Sequence, residues 1–420
     1  MKTNYKIVKR QASPFGGLYP VSEFMHQIDF PALFHETFGK YRKMRNYQPW
    51  ENISMIIAAI LSGGEKLSDV ERLSSDPVLP DLFGNGEVPC DTTVRDDLKH
   101  IGGMDDQRRE LLFKLNEVFF EHQNIRKITI DVDGTAIPVD GRQEGAEVGY
   151  CPSEKGSRCF QSLSAICDET QTVLAEETRP GNTHCANNVI PFMRRLLDRF
   201  SPAMNRIVVR MDRGFFSEDL LSALEEYRNV IYEIAVPQHE PLRDRVRRLE
   251  YRSYHGSDRE YARISRTGGR YYCVERKRIA DGEQLDLLDA DGYSYRIVAC
   301  NDGNRQPHTL FRNYNGRGRD EQQICELKNE YALGGMISGD FEITRALFWV
   351  SHLAYTLMGM FRQVALRRDL KRRRQKRLRF LLFSTVGYWT THARQRVLNL
   401  CSPLIGEMRL KFLLQRVWAF

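Results

Sequence analysis

The chain has 420 residues, with 62 Lys and Arg against 55 Asp and Glu and a formal charge of +7. That length accommodates two or three domains and a substantial core, and the modest basic excess leans toward a nucleic-acid partner. Nine cysteines with no C-x2-C pair, and no histidine cluster at zinc-ligand spacing, exclude a zinc module and point to a reducing, cytoplasmic setting.

In chain order, the start Met1-Lys-Thr-Asn-Tyr-Lys6 lacks an apolar stretch, so no secretory leader is expected. Residues 1–120 read mainly helical. Trp50–Leu61 carries apolar residues at helical spacing, and Pro89–Leu98 predicts a helix start with Asp91 or Thr92 as N-cap. Such a run of front helices suits a module that binds DNA ends, or a bundle that only covers the core. Lys127–Asp133 alternates as a strand does, placing Asp131 and Asp133 on one face, with Gly134 expected to end it. A helix is predicted over Asn187–Phe200. Arg206–Asp212 is a short β-branched run suited to a buried strand, ending at Asp212 before Arg213-Gly214. A helix over Glu218–Arg228 and a strand over Val230–Val236, stopped by Pro237, follow. Residues 238–300 change character, becoming rich in Tyr, Arg and Gly, with strands at Arg270–Arg278 and Tyr293–Ala299. They read as an insertion whose basic and aromatic residues either hold DNA or form the solvated faces of a small sheet. Ala346–Phe361 is sixteen residues long and contains Ser351, His352 and Thr356, too short and polar for a bilayer, so a buried core helix is expected. Between Arg367 and Arg379 nine of thirteen residues are Lys or Arg. Arg372, Arg373 and Arg374 at its centre are candidates for phosphate contact, the alternative being a solvated face.

Three acids stand out. Asp133 and Asp212 each close a strand, and Glu321 lies within Tyr314-Asn-Gly-Arg317-Gly-Arg-Asp-Glu321-Gln-Gln-Ile-Cys-Glu-Leu-Lys328, a Y-x2-R-x3-E-x6-K pattern. At about 100° per residue, Arg317, Glu321 and Lys328 fall within roughly 40° of one another, with Tyr314 beside them. Gly316 and Gly318 argue that the helix begins near Arg319, leaving Tyr314 and Arg317 to its entry turn. Taken singly, each acid reads as a turn former or a surface ion pair. Together they would repel by roughly 4 kcal/mol per pair about 4 Å apart. Divalent metal relieves that repulsion, and carboxylate oxygens suit hard Mg²⁺ or Mn²⁺.

On these residues the chain resembles the DDE transposases of bacterial insertion sequences, in the branch with the YREK motif. Asp133-Gly134-Thr135 resembles the first-acid motif and Asp212-Arg213 the second, while Tyr314, Arg317, Glu321 and Lys328 fill the four YREK positions. Gly141–Ala146, Gly149–Pro152 and Arg179-Pro-Gly-Asn182 are similar to the same branch. The resemblance implies an α/β fold: a ribonuclease H-like core with a mixed sheet flanked by helices, an inserted mostly-β domain, a helical N-terminal domain and a helical C-terminal region. The corresponding divisions are 1–122 for the DNA-end-binding domain, 123–237 and 301–365 for the two parts of the core, 238–300 for the insertion, and 366–420 for the basic C-terminal region. Separations of 79 residues from Asp133 to Asp212 and 109 from Asp212 to Glu321 leave room for it. It implies that Asp133, Asp212 and Glu321 hold two Mg²⁺ ions, replaceable by Mn²⁺, for in-line phosphoryl displacement on double-stranded DNA, the terminal inverted repeats of the element and its target. Arg213, Arg317 and Lys328 would grip phosphate, and Tyr314 would pack on a base or sugar. Synapsis implies a dimer, working at the bacterial nucleoid without any membrane. The same acids would serve a ribonuclease H-like nuclease that does not transpose, and the same surfaces a transposase-derived DNA-binding protein without catalysis.

Overall fold

A computed structural model describes residues 11–40, 46–152, 154–254, 258–279, 292–401 and 404–420. The start Met1–Lys6 and two stretches of the expected insertion, 255–257 and 280–291, lie outside the described residues.

Seven helices lead: α1 (Tyr19–Gln27), α2 (Phe30–Phe38), α3 (Pro49–Ser62), α4 (Ser68–Arg72), α5 (Leu79–Phe83), α6 (Asp91–Gly102) and α7 (Asp105–His122). α3 opens with Pro49 after a capping box of Gln48 and Glu51, which satisfies donors the first turn would otherwise strand. Every residue from Glu51 to Leu61 is buried. α6 starts where the sequence predicts, but its N-cap is Cys90 rather than Asp91 or Thr92, with no side-chain cap bond.

β1 (Lys127–Pro138), β2 (Glu147–Val148), β3 (Arg158–Cys167) and β4 (Thr172–Pro180) come next, then α8 (Val189–Phe200), β5 (Arg206–Met211), α9 (Glu218–Glu225) and β6 (Val230–Ala235). β1, β3 and β4 form an antiparallel meander, and β5 and β6 run parallel to β1, in spatial order β4-β3-β1-β5-β6. This is the ribonuclease H-like core. α8 and α9 are the crossovers that parallel pairing requires. Gly134 does not end β1. The strand keeps β3 as a partner to Pro138, while its ladder with β5 stops at Val132 opposite Met211. Beyond Val132, β1 therefore has a neighbour on one edge only, and a notch opens at Asp133.

The insertion supplies α10 (Glu240–Arg247), β7 (Arg252–Ser253), β8 (Arg259–Ser265), β9 (Tyr271–Arg278) and β10 (Tyr293–Cys300). It is no separate small sheet. β10 pairs antiparallel with β6, Val298 opposite Ala235 through Cys300 opposite Glu233, so one ten-stranded sheet runs on to β7.

α11 (Pro307–Tyr314), α12 (Gly318–Glu330) and α13 (Phe341–Ala365) return the chain to the core. α13 is the helix expected around Ala346–Phe361, and it is buried from Ala346 through Arg362. It packs on α3, α6, α7, β4 and α16. α14 (Arg368–Lys371), α15 (Gln375–Leu378), β11 (Val386–His392), β12 (Gln395–Cys401) and α16 (Leu404–Trp418) complete the chain. The C-terminal region is helical in α14, α15 and α16 as expected, but β11 and β12 interrupt it as an antiparallel hairpin that was not expected. Its turn uses Ala393 and Arg394 at φ of 49° and 66°, a conformation that Asn-Gly normally announces, and that signal is missing from the sequence. Apart from a smaller cluster around Val298, Leu310, Phe311 and Tyr314, the main apolar core runs from Leu18 to Val417. The front helices share it with the sheet and α13 rather than forming a core of their own.

Candidate active site

β1 and β5 are parallel and in register, Asp131 opposite Arg210 and Val132 opposite Met211, so Asp133 and Asp212 follow at the same level on neighbouring chains. The Asp133 side chain is 22% exposed and accepts the Gly134 N–H at 2.9 Å. Asp212 is exposed, caps a short 3-10 turn and accepts the Arg213 N–H at 2.6 Å. Glu321 lies exposed near the start of α12.

Burial pushes the Asp133 carboxyl above its ordinary range. Arg317 opposes that rise, while the negative charges of Asp212 and Glu321 add to it. Asp133 therefore feels the charge of both other acids. Their donors are all hard carboxylate oxygens, the set that suits Mg²⁺ or Mn²⁺, and Asp133 is under charge repulsion that a cation would relieve. In chemistry the residues fit a divalent ion. Among the described residues no three His, Cys, Asp or Glu side chains stand together at direct metal-ligating spacing, and the cation now nearest Asp133 is Arg317, whose Nη2 lies 3.3 Å from Oδ1.

The remaining motif residues divide. Arg213 is exposed on the rim. Tyr314, expected on DNA, is only 7% exposed; it is the last residue of α11, and its hydroxyl donates to the Met211 carbonyl at 3.1 Å. It packs with Leu310, Phe311 and Val298 and so holds the backbone just before Asp212. Lys328 Nζ donates to the Ala136 carbonyl at 2.9 Å, tying α12 to β1 beyond Asp133. Burial lowers its pKa.

Asp131, on the same face as Asp133, is spent on structure. Arg210 clamps it through Nε at 2.6 Å and Nη2 at 2.5 Å, with both side chains at most 2% exposed. Arg210 Nη1 also donates to the Asn313 carbonyl at 2.8 Å, and Nη2 reaches Asp168 at 3.2 Å. Burial alone would weaken the guanidinium's hold on its proton, but the bonds and charge of Asp131 prevail and raise its pKa. Its Nη1 stands 2.5 Å from where a Cβ on residue 316 would project, so Gly316 is what lets the turn before α12 close on β5.

One neighbour carries no motif signal of its own. Cys185 lies on the segment between β4 and α8, its Sγ 3.5 Å from the Gly214 carbonyl and 3.0 Å from where a Cβ on Gly214 would stand. Burial raises its thiol pKa, and Asp212 and Asp133 contribute. The only sequence hint was the preceding Arg179–Asn182 stretch.

Arg372, Arg373 and Arg374 are exposed, at the junction of α14 and α15. In the insertion, by contrast, Arg276 bonds Glu260 and lies 3.9 Å over the Tyr251 ring, and Arg259 and Arg296 both reach Glu275.

The chain matches the family described as Transposase DDE domain group 1 over residues 10–418. It belongs to that family of DDE transposases. The transposase is thus an enzyme of DNA cleavage and transposition in general class, and such families use divalent metal ions. Among solved structures it is similar to a piggyBac transposase synaptic complex with hairpin DNA, at 13% identity over 90% of this chain and 82% of that one, with a TM-score of 0.43. No curated protein matches it. No helix of the transposase among the described residues is long and apolar enough to cross a membrane.

Proposed function

We propose that this transposase belongs to the YREK branch, serves a bacterial insertion sequence, and cleaves DNA at the element ends before joining them to target DNA. Asp133, Asp212 and Glu321 are its catalytic acids. The observation that carries the reading is the sequential level of Asp133 and Asp212 on adjacent parallel strands, with both Asp212 and Glu321 raising the Asp133 carboxyl.

The three carboxylates would hold two Mg²⁺ ions, which when bound activate the attacking oxygen and stabilise the leaving one. The chain's own residues set the frame for that chemistry. Arg210 and Asp131 lock β1 against β5 and fix the spacing of the two strand-end acids. Tyr314 holds the carbonyl before Asp212, and Lys328 holds the strand beyond Asp133. Arg317 and the exposed Arg213 bring guanidinium charge to the phosphate that would lie over the acids. Double-stranded DNA is the substrate, two ends are paired by a dimer, and the site of action is the nucleoid.

The test is incubation of the full chain with a duplex spanning one element end, with Mg²⁺ or with chelator. Strand cleavage at the boundary should depend on metal and vanish in Asp133→Ala, Asp212→Ala and Glu321→Ala, while end binding persists. Cleavage retained in any one of these variants removes that acid from the assignment. Cleavage without joining to target would favour a nuclease instead.

A further inference from the structure

Beside the three acids but lined by none of them, α7, β4, α8 and the start of α13 border an open cleft of about 720 Å³. Arg108, Arg109, Arg179, Arg195 and Arg345 line it. Carboxylates stand among them. Arg108 pairs with Asp105 at 2.5 Å, Arg109 with Asp106 at 2.8 Å, Arg179 with Glu177 at 2.9 Å, and Arg345 with Asp105 and Glu342. Arg195 reaches Glu177 at 3.9 Å, so one carboxylate serves two guanidinium groups.

These pairings leave donors over. Nε of Arg108, Arg109 and Arg345 and Nη2 of Arg179 are buried without a hydrogen-bond acceptor among the described residues. Arg108 and Arg179 are each only 4% exposed. Such donors occur elsewhere in the molecule too, but here four of them converge on one cleft, where a ligand with acceptor oxygens in several directions would meet them. Arg195 adds to the demand, because burial and then repulsion from Arg109 lower its pKa. Glu176 lies against Arg108 at 3.8 Å, and burial lifts its carboxyl to about 7, so this counter-charge is half neutral near neutrality. Thr178 and Thr183 contribute hydroxyls to the wall. A tetrahedral phosphate group matches that donor set, and guanidinium groups are its usual partners.

The cleft adjoins the acids. Arg179 Nη1 donates to the Cys185 carbonyl at 3.4 Å, and the Cys185 side chain lies against Gly214 and Gly134. Only the 181–188 segment separates the two places.

We propose that this cleft is a phosphate-binding site and that it holds a backbone phosphate of the DNA strand leading away from the acids. The phosphate chemistry stands on the arginines; the DNA source rests on the transposase reading. The experiment titrates the full chain with inorganic phosphate, and separately with a short duplex over a salt series. Wild type is compared with Arg195→Gln, Arg195→Lys and Arg109→Gln. Arg195 is 42% exposed, so its replacement leaves the fold intact. Phosphate binding should weaken about tenfold in the two Gln variants and partly recover in Arg195→Lys. The slope of log K for the duplex against log salt should fall by about 0.9. Phosphate binding that is absent from wild type, or equal in all variants, overturns the site. Weaker phosphate binding with an unchanged duplex slope makes free phosphate the occupant and overturns the DNA source. If both fall while the duplex is never cleaved, the cleft stands and the catalytic reading fails.

Discussion

Two aspartates two residues apart on β1 have opposite fates. Asp131 sits inside a bidentate pair with Arg210, whereas Asp133 stands where β5 has left the strand and Arg317 approaches from one side only. Burial raises the Asp131 carboxyl and Arg210 opposes that rise. Asp131→Asn should still destabilise the fold by about 3–5 kcal/mol, because the buried guanidinium loses its bidentate carboxylate and is left with the longer contact to Asp168 at 3.2 Å, and a thermal or denaturant melt reads this directly. Asp133→Asn should leave the melting midpoint level or raise it. Its folded pKa is raised, so the ionised form costs stability at any pH above the unfolded value, and neutralising it removes that cost. Equal losses in the two variants would mean that both acids are structural. The alternation of the sequence put both residues on one face, and it was right to do so. It could not say which was free, because that depended on Arg210, 79 residues away.

At the scale of elements, the basic run divides in the same way. Arg372, Arg373 and Arg374 are exposed, while Arg379 turns inward and donates to the carbonyls of Leu61 and Ile60 at 2.8 and 3.1 Å, closing the C-terminus of α3. Replacing the three exposed arginines with Gln should reduce the salt slope of DNA binding by up to about 0.9 for each phosphate no longer neutralised and leave the melt unchanged. Arg379→Ala should do the reverse, costing about 1–2 kcal/mol with little change in slope. An unaltered slope in the triple variant would mark the run as a solvated face. Composition alone could not separate these four residues, since the distinction is made by α3, over 300 positions earlier. Strands and helices with strong periodicity, such as β5 and α13, were readable from their own residues. The β11–β12 hairpin was not, because Ala393 and Arg394 adopt left-handed backbone without Gly or Asn to signal it. The union of the insertion with β6 was equally hidden, since pairing Ala235 with Val298, far along the chain, leaves no local trace.

For the whole molecule, the response to pH is set by two buried groups pulling against each other. His352 is enclosed in α13, and burial drops its pKa to about 4, against the Phe348 carbonyl that its ring contacts at 2.7 Å. The unfolded chain takes up that proton first, so this contribution is present above about 6.5 and is lost as pH falls toward about 4, roughly 3 kcal/mol in all. Glu176, lifted to about 7 mainly by burial, acts oppositely. Its contribution is full below about 4.5 and is lost as pH rises to about 7, by a similar amount. Between about 4.5 and 6.5 the two offset. Relative to wild type, melting midpoints of His352→Asn should rise on acidification, whereas those of Glu176→Gln should fall. Parallel curves for all three proteins would show that neither group titrates as its burial implies.

The join between β6 and β10 has a mechanical consequence. A domain hung on a flexible tether would absorb whatever its cargo pulled on it. Here β7 to β10 are welded through backbone ladders to the strand beside β5, and β5 leads directly into Asp212. Torque applied at the far edge would be carried along the sheet like load along a beam, arriving at the second acid.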